Sequence, residues 1–295
     1  MTTELAVVGP GAVGGFFAAH AAAHGTSVLS AARRPFTDYV VESESHPVHC
    51  PARVLTDPTR VEGPVPFVLV AVKSHHTPDI ADWLDRLCGP GTVVVAAQNG
   101  LEAAERLGPY VNGASVVQSV VYCTTELIAP GHTRHYGAGW LWVPDTPEMH
   151  RLARLFPERV ASIRPTTDIV TELWRKLGLN ITTNGITALT RRRLSVFGRA
   201  DIAELGTRLL AEAWTVGRAG GAALDPAEAA ERIPMMATLP GDPGTSTYYD
   251  RMAGRATEHD AIYGAVARAG RRLGIATPLV DAVWALLAAG DDSMG

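Results

Sequence analysis

The sequence predicts an α/β domain followed by an all-helical domain, and three observations carry this prediction. Short valine-rich runs recur through the first half, an alanine-rich helical segment follows the first of them, and long helical segments dominate the second half. Valine-rich runs that are apolar throughout are typical of strands buried on both faces of a parallel sheet. With 295 residues, 46% of them apolar, the chain is long enough for two such domains.

The first domain is predicted to contain strands at 5–8, 27–30, 67–72, 92–97 and 115–121. Helical segments at 79–87 and 101–107 lie between some of them, as in an open sheet with crossover connections. A last strand pair is predicted near 132–143, followed by a short helix and a strand within 148–164. The pattern of 35–66, with scattered proline and histidine, predicts no definite structure.

The first strand runs directly into a glycine-rich loop that consists of Gly9, Pro10, Gly11, Ala12, Val13 and Gly14. In a GxGxxG loop the first glycine permits a tight turn, the second lets the backbone approach a pyrophosphate, and the third allows close helix packing. The helix predicted at 14–24 would point its N–H groups at the phosphates. The motif therefore predicts an N-terminal Rossmann-like dinucleotide-binding domain.

The residues after the second strand indicate which nicotinamide cofactor is bound. An enzyme for NAD(H) usually carries Asp or Glu about 20 residues past the first glycine, where it holds the ribose 2′-hydroxyl. This chain has Ser30 there, followed by Arg33 and Arg34. A guanidinium suits a 2′-phosphate because its planar fork donates two hydrogen bonds. We therefore predict NADPH/NADP+ as cofactor, with Arg33 on the 2′-phosphate and Arg34 in a solvated loop.

The second domain is predicted to be helical at 168–188, 200–220, 225–235, 257–273 and 279–289. The boundary is placed near Pro165, where a strand-like run ends and Thr166 or Thr167 could cap the next helix. The predicted domains are thus 1–165, binding NADP(H), and 166–295, a helical substrate-binding and catalytic domain.

The first helix of the second domain carries Lys176, Asn180 and Asn184 at positions i, i+4 and i+8, along one stripe. Asparagine is a poor helix former, and solvated faces elsewhere in this chain carry arginine and glutamate, as at Arg208 and Glu212. This contrast predicts that the stripe lines a polar cleft.

Further polar candidates lie at predicted element ends. Lys73 and Asn99 follow two strands at their carboxyl ends, where open α/β sheets bind ligands. Ser246 and Glu258 flank a loop-to-helix transition, with Glu258 in the first turn of its helix. From spacing alone, Glu258 is interpreted as a helix-dipole partner or half of a capping interaction.

Composition excludes several classes of function. A net charge of −4 and a pI near 6.2 give no basic surface for nucleic acid, and the arginine cluster at 191–193 is assigned no function. No apolar run reaches the roughly 18 residues of a membrane span, and no secretory signal pattern starts the chain. The three cysteines have no metal-binding spacing, so we expect no metal and a cytoplasmic location.

Five motifs in order resemble the ketopantoate reductases, also called 2-dehydropantoate 2-reductases. They are GPGAVG, VAVKS around Lys73, AAQNG around Asn99, ELWRKLGLNITTNGITAL at 172–189, and GRATEHDAIYGAVARAGRRLGIATP at 254–278. The resemblance runs from Leu5 to about Val280 and implies NADPH-dependent reduction of a 2-keto acid, most often ketopantoate, to a 2-hydroxy acid. The segment 35–66 and the surroundings of His135 depart from the family pattern, and His135 is interpreted as a structural strand histidine.

The resemblance also implies a role for each matching residue. Lys176 would be the general acid that protonates the ketone oxygen, and Glu258 would accept a hydrogen bond from the substrate hydroxyl. Asn99 would hold the nicotinamide region and orient the lysine, and Lys73 would lie beside the cofactor. The residues that would contact the substrate are Asn180, Asn184 and Ser246.

Two other functions remain open at this point. A related hydroxy-acid dehydrogenase would use the same residues on another keto acid, and a redox-sensing regulator would bind NADP(H) without turnover. The stripe of an amine and two carboxamides argues against a sensor, which needs no proton donor. A homo-oligomer is possible through the alanine-rich helices at 200–220 and 279–289, although burial within one chain explains them equally.

Overall fold

The computed structural model describes residues 2–292, without the side chains at 138 and 229–231. The chain forms two compact units, the first ending at Ile169 and the second beginning at Val170. The first unit contains two sheets and the second is helical. The predicted α/β and all-helical fold class is therefore confirmed.

The first sheet of unit 1 has six parallel strands in the order β5-β2-β1-β6-β7-β8. The strands are β1 (Leu5–Val8), β2 (Val28–Ala31), β3 (Asp38–Glu42), β4 (Val48–Pro51), β5 (Val54–Leu55), β6 (Phe67–Val70), β7 (Val93–Ala96), β8 (Ser115–Gln118), β9 (Val120–Ala129), β10 (His132–Pro144) and β11 (Ser162–Thr166). The strand order reverses between β1 and β6, where doubly wound sheets open a crevice for a ligand.

Alternate residues of the six-stranded sheet serve two separate cores. Leu5, Val7 and Leu69 pack on the side of α1 (Ala12–Ala23), whereas Ala6, Val8 and Val70 pack on the opposite side. The opposite side is covered by α2 (Ala81–Leu87) and α3 (Ala103–Leu107). Because each strand is buried on both faces, its sequence is apolar throughout instead of alternating.

The second sheet contains β11, β10, β3 and β4 in that order, with β9 paired antiparallel to β10. Two expectations were wrong here. The run 115–121 is two strands, because β8 ends at Gln118 and β9 belongs to the other sheet. The segment 132–143 is one long strand paired with β9, and α4 (Pro147–Ala153) follows it. Segment 35–66, which predicted no definite structure, supplies β3, β4 and β5.

Unit 2 is built around a long central helix, α5 (Ile169–Thr190). The other elements are a 3₁₀ helix (Leu194–Gly198), α6 (Ala200–Ala219), α7 (Pro226–Met236), α8 (Ser246–Met252), a π-helical turn (Asp260–Gly264), α9 (Ala265–Leu273) and α10 (Pro278–Asp292). Helices α5 and α6 approach closely at glycines, since a Cβ on Gly178 would overlap Trp214 and one on Gly217 would lie 2.8 Å from Trp174. The sequence missed α8, and the predicted helix 257–273 starts with the π-helical turn instead of a regular α-helix.

Candidate active site

The glycine loop of unit 1 lies between β1 and α1, at the reversal point of the strand order. Gly9 has φ +83°, which only glycine adopts easily, and a Cβ on it would overlap Val72. A Cβ on Gly14 would overlap the carbonyl oxygen of Gly9. By contrast, a Cβ on Gly11 would meet no described atom within 4 Å. Gly9 and Gly14 thus serve the fold, whereas Gly11 leaves open space in front of α1.

The open space lies at the positive end of a helix. Gly11 is the N-cap of α1, and its first turn contains no acidic side chain. The N-terminal N–H groups of a helix and its dipole together favour an anion such as a phosphate. The residues present therefore fit the pyrophosphate of a dinucleotide.

Arg33, Lys73 and Asn99 come after β2, β6 and β7. The last residues of β2 and β6 pair with the end of β1, and the end of β7 pairs with the end of β6. The carboxyl ends of these parallel strands form one edge, so the structure brings all three residues to the edge that carries the glycine loop. Arg33 is exposed, whereas Lys73 and Asn99 are half-buried. Ser30 lies inside β2, where its hydroxyl bonds that of Tyr39 at 2.7 Å.

Gln98 joins two of the loops at this edge, although no sequence motif selected it. Its Nε2 donates to the carbonyl of Val72 at 3.1 Å and to the hydroxyl of Thr77 at 3.2 Å. The neighbouring Asn99 is held through its carbonyl, which accepts from Arg106 Nη2 at 3.2 Å. These bonds fix the backbone that carries Lys73 and Asn99.

In unit 2, helix α5 carries all three residues of the predicted polar stripe. Lys176 and Asn180 are half-buried, and Asn184 is only 3% exposed. Within residues 2–292, Asn184 Nδ2 has no hydrogen-bond acceptor. A buried amide donor without a partner costs about 1–3 kcal/mol, so a bound ligand or an ordered water must supply the acceptor. The stripe is therefore not an ordinary solvated face.

The threonines of α5 have a structural explanation. Thr182, Thr183 and Thr187 donate to carbonyls one turn earlier in the same helix, at 2.8–2.9 Å. Thr187 also bonds the hydroxyl of Thr245 at 2.8 Å. Thr245 is the N-cap of α8 and accepts from the N–H of Tyr248. This chain of bonds places Ser246, the exposed first residue of α8, next to α5 in a fixed position.

Glu258 is buried, with 6% of its surface exposed. Its carbonyl accepts from the N–H of Ile262 at 3.1 Å, so Glu258 lies just before the helix. The sequence-based expectation that it lies within the first turn was wrong. Thr257 does not cap this helix. Its N–H and hydroxyl both donate to Asp291 Oδ2, each at 2.8 Å, and Asp291 also forms a buried ion pair with Arg251 at 3.2 Å. A carboxylate of α10 therefore fixes the segment that carries Glu258.

His135 lies in β10 within the core of unit 1. It is 4% exposed, and its ring stacks on Phe16 of α1 at 4.3 Å between centroids. His20, also on α1, packs edge-on against the same phenyl ring. Burial, and secondarily the charge of His135, lowers the pKa of His20 from 6.5 to about 4. Both histidines therefore belong to the packing between α1 and the second sheet.

Comparison with known families accounts for nearly the whole chain. Residues 5–148 match the family model described as "Ketopantoate reductase PanE/ApbA", and residues 168–291 match its C-terminal counterpart. The chain belongs to the ketopantoate reductase family. This confirms the resemblance that the sequence motifs indicated.

Relatives of this ketopantoate reductase family member align over the full chain. A 2-dehydropantoate 2-reductase of Mycobacterium tuberculosis is 37% identical over 100% of both chains. One from Caulobacter vibrioides is 36% identical, covering 97% of this chain and 98% of the relative. The solved PanE/ApbA family ketopantoate reductase of Ralstonia eutropha JMP134 has a TM-score of 0.87 and 30% identity, with 99% of each chain covered.

A more distant structure supports the fold. The Staphylococcus aureus ketopantoate reductase described as dimeric superposes with a TM-score of 0.88 at 24% identity, covering 99% of this chain and 100% of that one.

Within the part that the structure describes, no helix combines the length and apolar character needed to cross a membrane.

Proposed function

We propose that this protein catalyses the NADPH-dependent reduction of 2-dehydropantoate to pantoate. The observation that carries the proposal is the stripe on α5, where the buried amide of Asn184 lies on the same face of the helix as Asn180 and Lys176. Relatives named for this reaction align over the full length of the chain. The same residues would also serve another branched 2-keto acid, so the substrate side chain is part of the proposal.

The glycine loop and its sheet edge fit the cofactor. Gly11 leaves room for the pyrophosphate at the N-terminus of α1. The exposed guanidinium of Arg33 would hold the 2′-phosphate, and Lys73 and Asn99 would lie along the nicotinamide half. No acidic residue follows β2 that would select NADH through the ribose 2′-hydroxyl. When bound, NADPH supplies the hydride.

Lys176 would supply the proton. Reduction of a ketone places negative charge on its oxygen, and an ammonium group at that oxygen stabilises the charge and then donates a proton. Asn180 and Asn184, one and two turns further along α5, would donate hydrogen bonds to the substrate carboxylate. Glu258 would accept from the substrate hydroxyl, and Ser246 would complete the contacts. The main contribution of these residues is orientation of the keto acid.

Steady-state oxidation of NADPH, followed by its absorbance, tests the proposal. We expect turnover with ketopantoate and higher kcat/KM than with other branched 2-keto acids or 3-keto acids. Lys176→Ala should lower kcat by roughly 100-fold or more, the usual contribution of a general acid. Arg175→Gln, which removes a positive charge from the adjacent position of α5, is the matched control and should keep most of the activity.

Three results would contradict the proposal in different ways. An unchanged kcat in Lys176→Ala would remove the lysine from its role as general acid. A higher kcat/KM for another keto acid would assign the chain to a related dehydrogenase. NADPH binding without turnover on any keto acid, combined with cofactor-dependent binding of another protein, would favour a sensor.

A cytoplasmic location is also proposed, since the three cysteines show no spacing typical of a disulfide scaffold. A homo-oligomer stays a prediction, because the relative described as dimeric shares only 24% identity with this chain.

A further inference from the structure

Tyr263 is a fully buried tyrosine whose hydroxyl reaches into the middle of α5. The hydroxyl donates to the carbonyl of Ile181 at 2.6 Å and accepts from the N–H of Gly185 at 2.5 Å. Ile181 and Gly185 are four residues apart, so they are the two groups that a regular helix would join directly. The Tyr263 hydroxyl thus bonds both the acceptor and the donor of one i to i+4 position of α5.

The contact depends on the absence of a side chain at Gly185. A Cβ on Gly185 would overlap the Tyr263 hydroxyl and would lie 2.5 Å from Cγ1 of Val283 on α10. Any larger residue would therefore separate α5 from Tyr263. Burial raises the pKa of the phenol above its usual range, so the hydroxyl stays a hydrogen-bond donor at physiological pH.

The two sides of this contact carry proposed substrate ligands. On α5, Asn184 lies inside the turn 181–185, and Asn180 directly precedes it. On the other side, Tyr263 belongs to the π-helical turn Asp260–Gly264, which starts two residues after Glu258. Single π-helical turns inside helices often occur at functional sites, because they redirect the side chains around them.

We propose that Tyr263 is a positioning residue that fixes the distance between Glu258 and the asparagines of α5. In this proposal Tyr263 makes no contact with the substrate. It acts through the backbone of α5 and of the π-helical turn that follows Glu258. The proposal rests on the proposed function, because it assigns a geometry to the residues that would bind the keto acid. A displacement of about 1 Å between such groups can lower catalysis roughly 100-fold.

Tyr263→Phe removes the hydroxyl and keeps the ring. Thr92→Val is its matched control, because the buried Thr92 hydroxyl also donates to a backbone carbonyl, that of Val65 at 2.7 Å, and accepts from a backbone N–H, that of Gly89. Thr92 lies before β7, at the sheet edge opposite to the glycine loop. Both variants should lose stability to urea by comparable amounts.

The two variants should differ in kinetics with NADPH and ketopantoate. For Tyr263→Phe we expect kcat/KM for ketopantoate to fall about tenfold or more, mainly through a higher KM for the keto acid, with an unchanged KM for NADPH. Thr92→Val should keep both constants. Gly185→Ala, which displaces the hydroxyl while retaining Tyr263, should reproduce the kinetics of Tyr263→Phe.

A double-variant cycle separates positioning from general destabilisation. If Tyr263 acts through the two asparagines, then Tyr263→Phe combined with the paired change Asn180→Ala and Asn184→Ala should lose little more kcat/KM than that pair alone. Independent, additive losses in that cycle would overturn the positioning role, and so would kinetics in Tyr263→Phe equal to those of Thr92→Val. Absence of ketopantoate turnover in the unaltered protein is a separate outcome, which would refute the proposed function and the role of Tyr263 with it.

Discussion

Replacing Gly11 by alanine tests whether the glycine loop binds the phosphates of the cofactor. Gly11 has φ −79°, a value that alanine adopts, and its added Cβ would meet no described atom within 4 Å. Stability should therefore change by no more than about 1 kcal/mol. The methyl group would instead occupy the space in front of α1, where the pyrophosphate is expected, and would weaken NADPH binding.

The size of the effect follows from the bond that would be lost. A phosphate oxygen held by a backbone N–H makes a charge-assisted hydrogen bond worth about 1.5–3 kcal/mol. Loss of one such bond corresponds to a roughly 10- to 150-fold higher Kd for NADPH.

Gly14→Ala is the matched control, because it adds the same methyl group three residues further along. That Cβ would overlap the Gly9 carbonyl oxygen and lie 2.9 Å from Cβ of Ala71, so we expect a loss of about 1–3 kcal/mol in unfolding free energy. Calorimetric titration with NADPH and urea unfolding of both variants measure the two quantities. The reasoning is refuted if Gly11→Ala binds NADPH as tightly as the unaltered protein.

Three further predictions concern other parts of the chain. Arg33→Ala should raise the KM for NADPH about tenfold and leave the KM for NADH nearly unchanged, while Arg34→Ala should do neither; equal effects on both cofactors would remove Arg33 from the 2′-phosphate. The pKa of His20 is about 4 in the folded protein and 6.5 in the unfolded chain. The free energy of unfolding should therefore be highest above pH 6.5 and fall, by about 3 kcal/mol at most, as the pH is lowered towards 4. Urea unfolding at pH 6.5 and at pH 4 should show a smaller difference between the two pH values in His20→Leu than in the unaltered protein. Asp291→Ala should cost about 3–5 kcal/mol, because it leaves Arg251 buried without its carboxylate; an unchanged urea midpoint would contradict this.

The sequence predicted the parts of the fold that depend on local patterns. Five of the six strands of the parallel sheet were visible, because strands buried on both faces, such as β6 and β7, are apolar throughout, whereas β5 lies in the undefined segment 35–66. Helix α5 was visible from its length and periodicity. Strands β3 and β4 of the second sheet were not, because β4 has no fully buried residue and β3 pairs with β10, a strand far away in the sequence. Such a pairing leaves no signal in a local window.

Some residues of the candidate site could likewise be predicted from local patterns, whereas others could not. The stripe on α5 follows from helical spacing, and the positions of Lys73 and Asn99 follow from strand ends. Tyr263 and Asp291 could not be selected, because their importance lies in bonds to Gly185 and Thr257, which are distant in sequence. The low exposure of Asn184 was equally invisible, since burial depends on which helices cover α5.

The enclosure of α1 has a consequence for the order in which the protein forms. This helix presents the glycine loop, yet its apolar surface packs against β3 and against β10, which ends at Pro144. On the ribosome, the loop emerges long before the layer that covers its helix has been synthesised. A nascent chain halted after Gln118 would contain every strand of the six-stranded sheet and the whole glycine motif. We expect such a chain to bind no dinucleotide, because the helix proposed to bind the phosphates would still lack the part of its core that β10 supplies.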